Sequence, residues 1–226
     1  RDGTKAWQLT NVPNDYDNGI IHSGISNDGK LFAWSERIKA SKLLDKNLGA
    51  GSYVIKVADF LTDSVPHFVN IRSFQPGNVP ALNELEGISS DKTTLSFYIT
   101  FETKNIFTTP VYTLNINTGE IKRLTTESFA QAPAYTPDGK HIVYMTGKDC
   151  DIFPLQLQGA DWWIMDTDGS NKKRLTRMNV KNNPQSVNKY RLAGSLSFIS
   201  NTSFYGGVMT RSLGLVGYTV KVSFEN

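Results

Sequence analysis

Apolar and β-branched residues along this chain fall into short runs separated by polar turns, and three of these stretches share one grammar. They are "HSGISNDGKLFAWSERI" (22–38), "LEGISSDKTTLSFYITFE" (85–102) and "QAPAYTPDGKHIVYMTG" (131–147). Each has a small or polar lead-in, a Ser or Thr, a turn carrying Asp, and a run of β-branched and aromatic residues. Short runs of this composition bounded by turn residues predict strands. After each pair comes a third strand signal: "GSYVIKVADF" (51–60), "TPVYTLNIN" (109–117) and "DWWIMDTDG" (161–169). A fourth follows in "PHFVNIRSF" (66–74), "GEIKRLTTE" (120–127) and "NKKRLTRM" (171–178). The unit is therefore four short strands, a to d, joined by hairpins.

The turns carry the hairpin chemistry. In "SNDGK" and "TPDGK" the Asp-Gly pair supplies the positive φ of a tight turn. "SSDKT" lacks the glycine, which predicts a longer or looser turn there. Asp28, Asp91 and Asp138 mark the repeat at intervals of 63 and 47 residues. A degenerate fourth unit follows: "GSLSFISNTS" (194–203), "FYGGVMTRS" (204–212) and "LGLVGYTVKVSF" (213–224) match strands a, b and c. Its strand d is missing. At the other end "RDGTKAWQLT" (1–10) repeats the phrase "DTDGSNKKRLT" (166–176), which closes the third unit. Residues 4–10 thus read as a strand d without its a, b and c, and are expected to complete the last unit. Only "ERIKASKLLDKNL" (36–48) has helical spacing, in Ile38, Leu43, Leu44 and Leu48, and it reads as an insertion with one or two helical turns.

Four short antiparallel strands repeated at this spacing predict a β-propeller, in which each unit is a blade. The b strands "LFAW", "LSFYI" and "HIVYM" do not alternate strictly, as befits strands covered on both faces by neighbouring blades. The fold class expected is all-β, one propeller domain over 1–226, with blades at about 20–75, 85–127, 131–178 and 194–226 plus 1–10. The units "APAYTPDGKHIVYMTG…DWWIMDTDGSNKKRLT" and "SGISNDGKLFAWS" resemble the repeats of TolB-like propellers, which run Ser-Pro-Asp-Gly-Lys, apolar strand, Asp-Gly turn and Leu-Thr. The third unit carries the likeness almost throughout, the first in its a–b hairpin, the second in part and the fourth in outline. The matching residues are turn and core residues, so the resemblance speaks to fold more than to function. That family usually has six to eight blades, and this chain supplies four. A closed four-bladed ring and a sector of a larger ring both remain open, the latter with a second chain as a possible supplier of further blades.

Composition narrows the chemistry. Hydrophobic residues make up 39% and charged residues 20% of the 226, which suits a globular protein with a full core. The net charge of +3 is scattered without a Lys/Arg run, so nucleic acid is not an implied partner. No stretch is apolar enough to span a membrane as a helix. The single cysteine, Cys150, excludes an internal disulfide. Its acidic neighbours in "GKDCDIF" are expected to raise its pKa. The chain begins with Arg1 and not Met, so a segment is expected to have been removed by processing or clipping, and a mature exported protein would look like this.

No catalytic constellation appears: there is no Gly-x-Ser-x-Gly, no phosphate loop and no metal spacing among His22, His67 and His141. No catalytic residue, metal ligand or cofactor is assigned. "DTDGS" starts like a calcium loop, but the basic residues after it and the missing Glu at position 12 favour a structural turn. Trp162 and Trp163 are adjacent and must face opposite sides of a strand, so at least one is buried. The connection before strand a lines one mouth of a propeller's channel. His22, Glu86, Gln131 and Arg191 fall there in units one to four and form the candidate rim for a polar ligand or ion. The resemblance implies a non-catalytic module that binds or scaffolds protein partners in the periplasm or outside the cell. Its alternative is the propeller part of a larger enzyme, such as a prolyl-oligopeptidase-like hydrolase or a redox complex, with its chemistry elsewhere. The long connections at 36–51, 148–160 and 177–190 are the expected contact surfaces.

Overall fold

Fifteen strands form four antiparallel sheets in a computed structural model that describes residues 5–13, 15–41, 50–63, 65–77, 81–100, 108–127, 129–150, 159–186, 192–211 and 215–225. Sheet 1 comprises β1 (Gly19–Ile25), β2 (Leu31–Ala40), β3 (Gly51–Leu61) and β4 (His67–Phe74) in that order. Sheet 2 comprises β5 (Leu82–Ile88), β6 (Thr94–Thr100), β7 (Val111–Asn115) and β8 (Ile121–Arg123). Sheet 3 comprises β9 (Ala130–Tyr135), β10 (His141–Thr146), β11 (Asp161–Asp166) and β12 (Lys173–Arg174). Sheet 4 has three strands, β13 (Leu192–Ser200), β14 (Ser203–Arg211) and β15 (Leu215–Ser223). No α-helix occurs among the described residues, and no helix is long and apolar enough to cross a membrane.

The a–b turn is the same object three times. Ser26 Oγ donates to Asp28 Oδ1 and accepts from the Leu31 amide, and Asp28 Oδ1 also accepts from the Lys30 amide. Ser89 with Asp91, Thr93 and Thr94, and Thr136 with Asp138, Lys140 and His141, repeat this at the same offsets. The second turn is therefore neither longer nor looser than the others. Lys92 adopts φ +60° where Gly29 and Gly139 adopt +72°, and the side-chain bracket carries the strain. The Lys92 ammonium also reaches back 2.6 Å to Asp28 Oδ2, tying the second turn to the first.

The Leu-Thr phrase has an equally local cause. Arg123 Nε donates to Thr125 O at 2.8 Å while Thr125 Oγ1 accepts from the Val111 amide that opens β7. Arg174 and Thr176 do the same for Trp162 in β11. A strand d of only two or three residues makes few ladder bonds, so this bracket holds it in place.

Successive sheets pack face to face in chain order: β1 on β5, β5 and β6 on β9, β11 on β13. The register explains how. Phe32 and Trp34 in β2 correspond to Leu95 and Phe97 in β6 and to Ile142 and Tyr144 in β10. These bulky positions point toward the preceding sheet, and the intervening ones point toward the next. Leu31 and Ala33 thus join Leu95 and Phe97 in one core, Tyr98 joins Ile142 and Tyr144 in a second, and Val143 and Met145 join Phe204 and Val208 in a third. Trp162 and Trp163 are both buried, on opposite faces of β11: Trp162 packs with Phe204 of sheet 4, Trp163 in the core shared with sheet 2. Neither is left to stack on a ligand.

Two expectations are corrected. Residues 36–40 are not helical: they extend β2, whose pairing with β3 runs on to Ala40 opposite Gly51. The rest of that insertion, 42–49, lies outside the described residues. Glu36 prefers the strand because its carboxylate accepts from Trp34 Nε1, two residues back on β2, and from Lys56 Nζ across the sheet. The N-terminal segment does not complete sheet 4: residues 5–13 belong to no strand, and residues 5–8 are exposed. Gln8 Nε2 donates to Thr10 O at 2.8 Å, imitating the Arg–Thr part of the bracket. The other part, a strand-c amide on the threonine hydroxyl, is not made among the described residues.

Candidate functional site

Each inner strand a is interrupted by a β-bulge near its middle. Register shifts fall between Ile20 and His22 in β1, between Leu85 and Gly87 in β5, between Gln131 and Ala134 in β9, and between Ala193 and Leu196 in β13. A bulge leaves a residue outside the ladder and re-aims its side chain, which makes it a common device beside functional sites. In β5 the extra residue is Glu86. In β9 Ala132 takes φ +50° at the same level.

The bulges bring three side chains together across the seam of sheets 1 and 2. His22 Nε2 lies 3.4 Å from Glu84 Oε2, and His22 Nδ1 lies 3.7 Å from Glu86 Oε1 and 3.2 Å from Leu85 O. Thr100 Oγ1 donates to Glu84 Oε1 at 3.3 Å. Burial, reinforced by the neighbouring Glu84 charge, pushes the Glu86 carboxyl up to about 7. Burial pushes the Tyr98 phenol up as well, with Glu84 adding to it. The group is thus an acidic pair with an imidazole wedged against it.

Glu86 also walls a cavity of about 450 Å³ to which all four sheets contribute. Ile25 and Asn27 enter from the first sheet, Ala134 and Tyr135 from the third, and Ser197 and Phe198 from the fourth. The cavity is the channel-side hollow at the level of the a–b turns.

His22 and Glu86, chosen from sequence for the rim, are therefore in contact. They sit within strand a and not in the connection before it. Gln131 lies on β9 beside its bulge, half-buried, and no hydrogen bond joins it to the His22 group. Arg191 lies outside the described residues. Sequence reasoning missed Glu84, whose period-two spacing from Glu86 on one strand was the available signal.

It also missed a second polar centre. Asp161 is fully buried, and its carboxylate accepts from Arg174 Nη2 at 2.6 Å, from Thr176 Oγ1 and from the Met178 amide, each at 2.8 Å. This is a satisfied ion pair that fastens strand d and the loop after it. Cys150 packs against it at 3.6 Å, and burial together with the Asp161 charge pushes the thiol up to about 12. A thiol held neutral in this way is a poor nucleophile.

Small antiparallel sheets stacked face to face, their first strands around a common hollow, define a β-propeller. No family model matches the chain, and no curated protein sequence does. Solved structures do. Putative TolB from Agrobacterium tumefaciens superposes with a TM-score of 0.50 over 94% of this chain and 67% of its own, at 16% identity. The β-propeller domain of the Trilobed protease from Pyrococcus furiosus, described as having an open velcro topology, gives 0.51 over 92% of this chain and 55% of its own, at 12% identity. An acylaminoacyl peptidase from Pyrococcus horikoshii gives 0.50 over 92% and 34%, at 12% identity. At these identities the likeness shows the fold: a propeller similar to that of TolB and of peptidase propeller domains.

Proposed function

We propose that this chain is a non-catalytic propeller module, one domain over its described sheets, that binds a protein partner at the channel hollow walled by Glu86. The observation that supports this reading most is the His22–Glu84–Glu86 group, built from bulged strands and set against a cavity reached by all four sheets. Two carboxylates and one imidazole favour a partner that presents a Lys or Arg side chain or a backbone amide there. Gln131, on the bulged strand a of the third unit, is assigned to the same rim, and Arg191 is assigned there by its place in the sequence of the fourth unit. The likeness to TolB propellers makes a location outside the cytoplasm the natural one.

The test places a photo-crosslinker at Asn27, on the cavity wall, in the native source. The crosslinked protein is then purified and titrated calorimetrically against this chain. A partner whose affinity falls at least about tenfold on Glu86→Lys supports the reading. No crosslinked protein, or one whose binding ignores Glu86, overturns it. The likeness to peptidase propeller domains supports a second reading, in which the chain is the propeller part of a larger enzyme. Stoichiometric co-purification with a hydrolase domain or subunit would establish that reading instead.

A further inference from the structure

The two end faces of the row of sheets carry aromatic and aliphatic side chains beside a lysine each, Lys56 paired with Glu36 on sheet 1 and Lys221 opposite Tyr205 on sheet 4. In β6 and β10 every residue after the first is buried, because each strand has a sheet on both sides. β14 instead alternates: Phe204, Gly206 and Val208 are buried against sheet 3, while Tyr205 and Met209 are 51% and 40% exposed. Gly207 and Gly217 lie on that same bare face, and with Met209 and Thr219 they border a shallow hollow of about 400 Å³. At the other end, the face of sheet 1 turned away from sheet 2 carries Phe32, Trp34, Phe60 and Phe68, with neighbouring ring centroids 5.1–6.5 Å apart. Ile20, opposite Glu36 on the same face, is 40% exposed.

The register says what such a face is for. Phe32 and Trp34 occupy the positions that Leu95 and Phe97 fill in sheet 2, and Ile142 and Tyr144 in sheet 3, where the preceding sheet buries them; here Trp34 is covered by its own sheet's aromatic rings, stacked on Phe68, while Phe32, Phe60 and Phe68 stay part-exposed. The face of sheet 4 is the complementary kind, and it is bare. The inner seam between sheets 3 and 4 shows the mode of fit: the ring of Trp162 lies so close to Gly206 that no Cβ would fit between them. The hollow over Gly207 and Gly217 offers the same accommodation to an aromatic ring.

From this register match we infer that the outer face of sheet 4 in one copy of this chain packs against the outer face of sheet 1 in a second copy, continuing the stack head to tail. The contact is heterologous, since two different surfaces meet. It goes beyond the channel reading and does not depend on it: the faces lie on the flat sides of the end sheets, away from Glu86.

Sedimentation or light scattering on the chain tests this up to about 100 µM, where seam-like packing gives measurable association. The wild type is expected to self-associate. Ile20→Glu spoils one end and Tyr205→Glu the other, and each is expected to weaken association at least about tenfold. Unchanged melting curves check that these exposed sites leave the fold intact. Mixing the two variants should restore a heterodimer, because each retains the face that the other lacks. A wild type that stays monomeric at every concentration overturns the inference. So does a Tyr205→Glu chain that associates normally, or a mixture that associates no better than its parts.

Discussion

At the scale of single residues, Glu86 shows how burial turns a carboxylate into a sensor. Its folded form holds the proton up to about pH 7, first because it is buried and then because Glu84 is beside it. A carboxyl raised in this way stabilises the fold in its neutral form. That stability is fully present below the ordinary carboxylate range and is lost as pH rises through about 7. Urea melts at pH 5 and pH 8 should therefore differ, with the protein less stable at pH 8 by on the order of 2 kcal/mol from this group. Glu86→Gln should flatten that difference, and an unchanged slope in the variant would refute the assignment. Repeat phase singled out Glu86 in the sequence, and the structure sets it 3.7 Å from His22, another residue chosen by the same phase. The bulge at Glu86 was not legible, since a bulge inserts no turn residue and leaves no mark on composition. Lys92 illustrates the opposite error: the absent glycine suggested a different turn, yet Ser89 and Asp91 enforce the same one.

Among the elements, the strand pattern was readable wherever two neighbouring turns fixed a strand from both ends, as in β9–β10 and β13–β14. It failed at 36–40, where Ile38, Leu43 and Leu44 have helical spacing but Glu36 bonds across the sheet to Lys56, and its strand pairs with β3 as far as Ala40. Cross-strand pairing, invisible in a local window, decided the matter. The seam between sheets 3 and 4 shows how little slack the packing has. A Cβ on Gly206 would lie 2.3 Å from Trp162, a ring held at 5.3 Å from Phe204. Gly206→Ala should thus destabilise the protein by roughly 1–3 kcal/mol through overpacking. Gly207→Ala, whose Cβ would meet nothing closer than Ser195 O at 3.8 Å, should have a far smaller effect on the melting temperature. Equal losses in the two variants would mean that the seam can relax.

For the molecule as a whole, the decisive fact is that each sheet packs mainly on its neighbours in the chain. Three repeats were legible because each carries its own Asp turn, and the fourth because its strand pattern follows theirs in outline although its turn is Ser-Asn-Thr-Ser. Their closure was not, because the Leu-Thr phrase at 9–10 reproduces a strand-d bracket locally without saying which strand c it meets. A row of sheets coupled to nearest neighbours behaves like other quasi-linear repeat proteins, in which end units open at lower cost than central ones. Amide exchange should be slowest in β6 and β10, which are covered on both sides, and faster in β14 despite its longer ladder. Uniform protection across all four sheets would show instead that they open as one unit.

Trp162 and Trp163 are consecutive, yet each indole belongs to a different seam. One peptide unit thereby carries two native fluorophores that view separate partings of the stack. With the other tryptophans replaced by phenylalanine, a chain keeping only Trp162 would report optically on the fourth sheet coming away. One keeping only Trp163 would report on the second and third separating, so the order in which the stack comes apart could be timed without any attached dye.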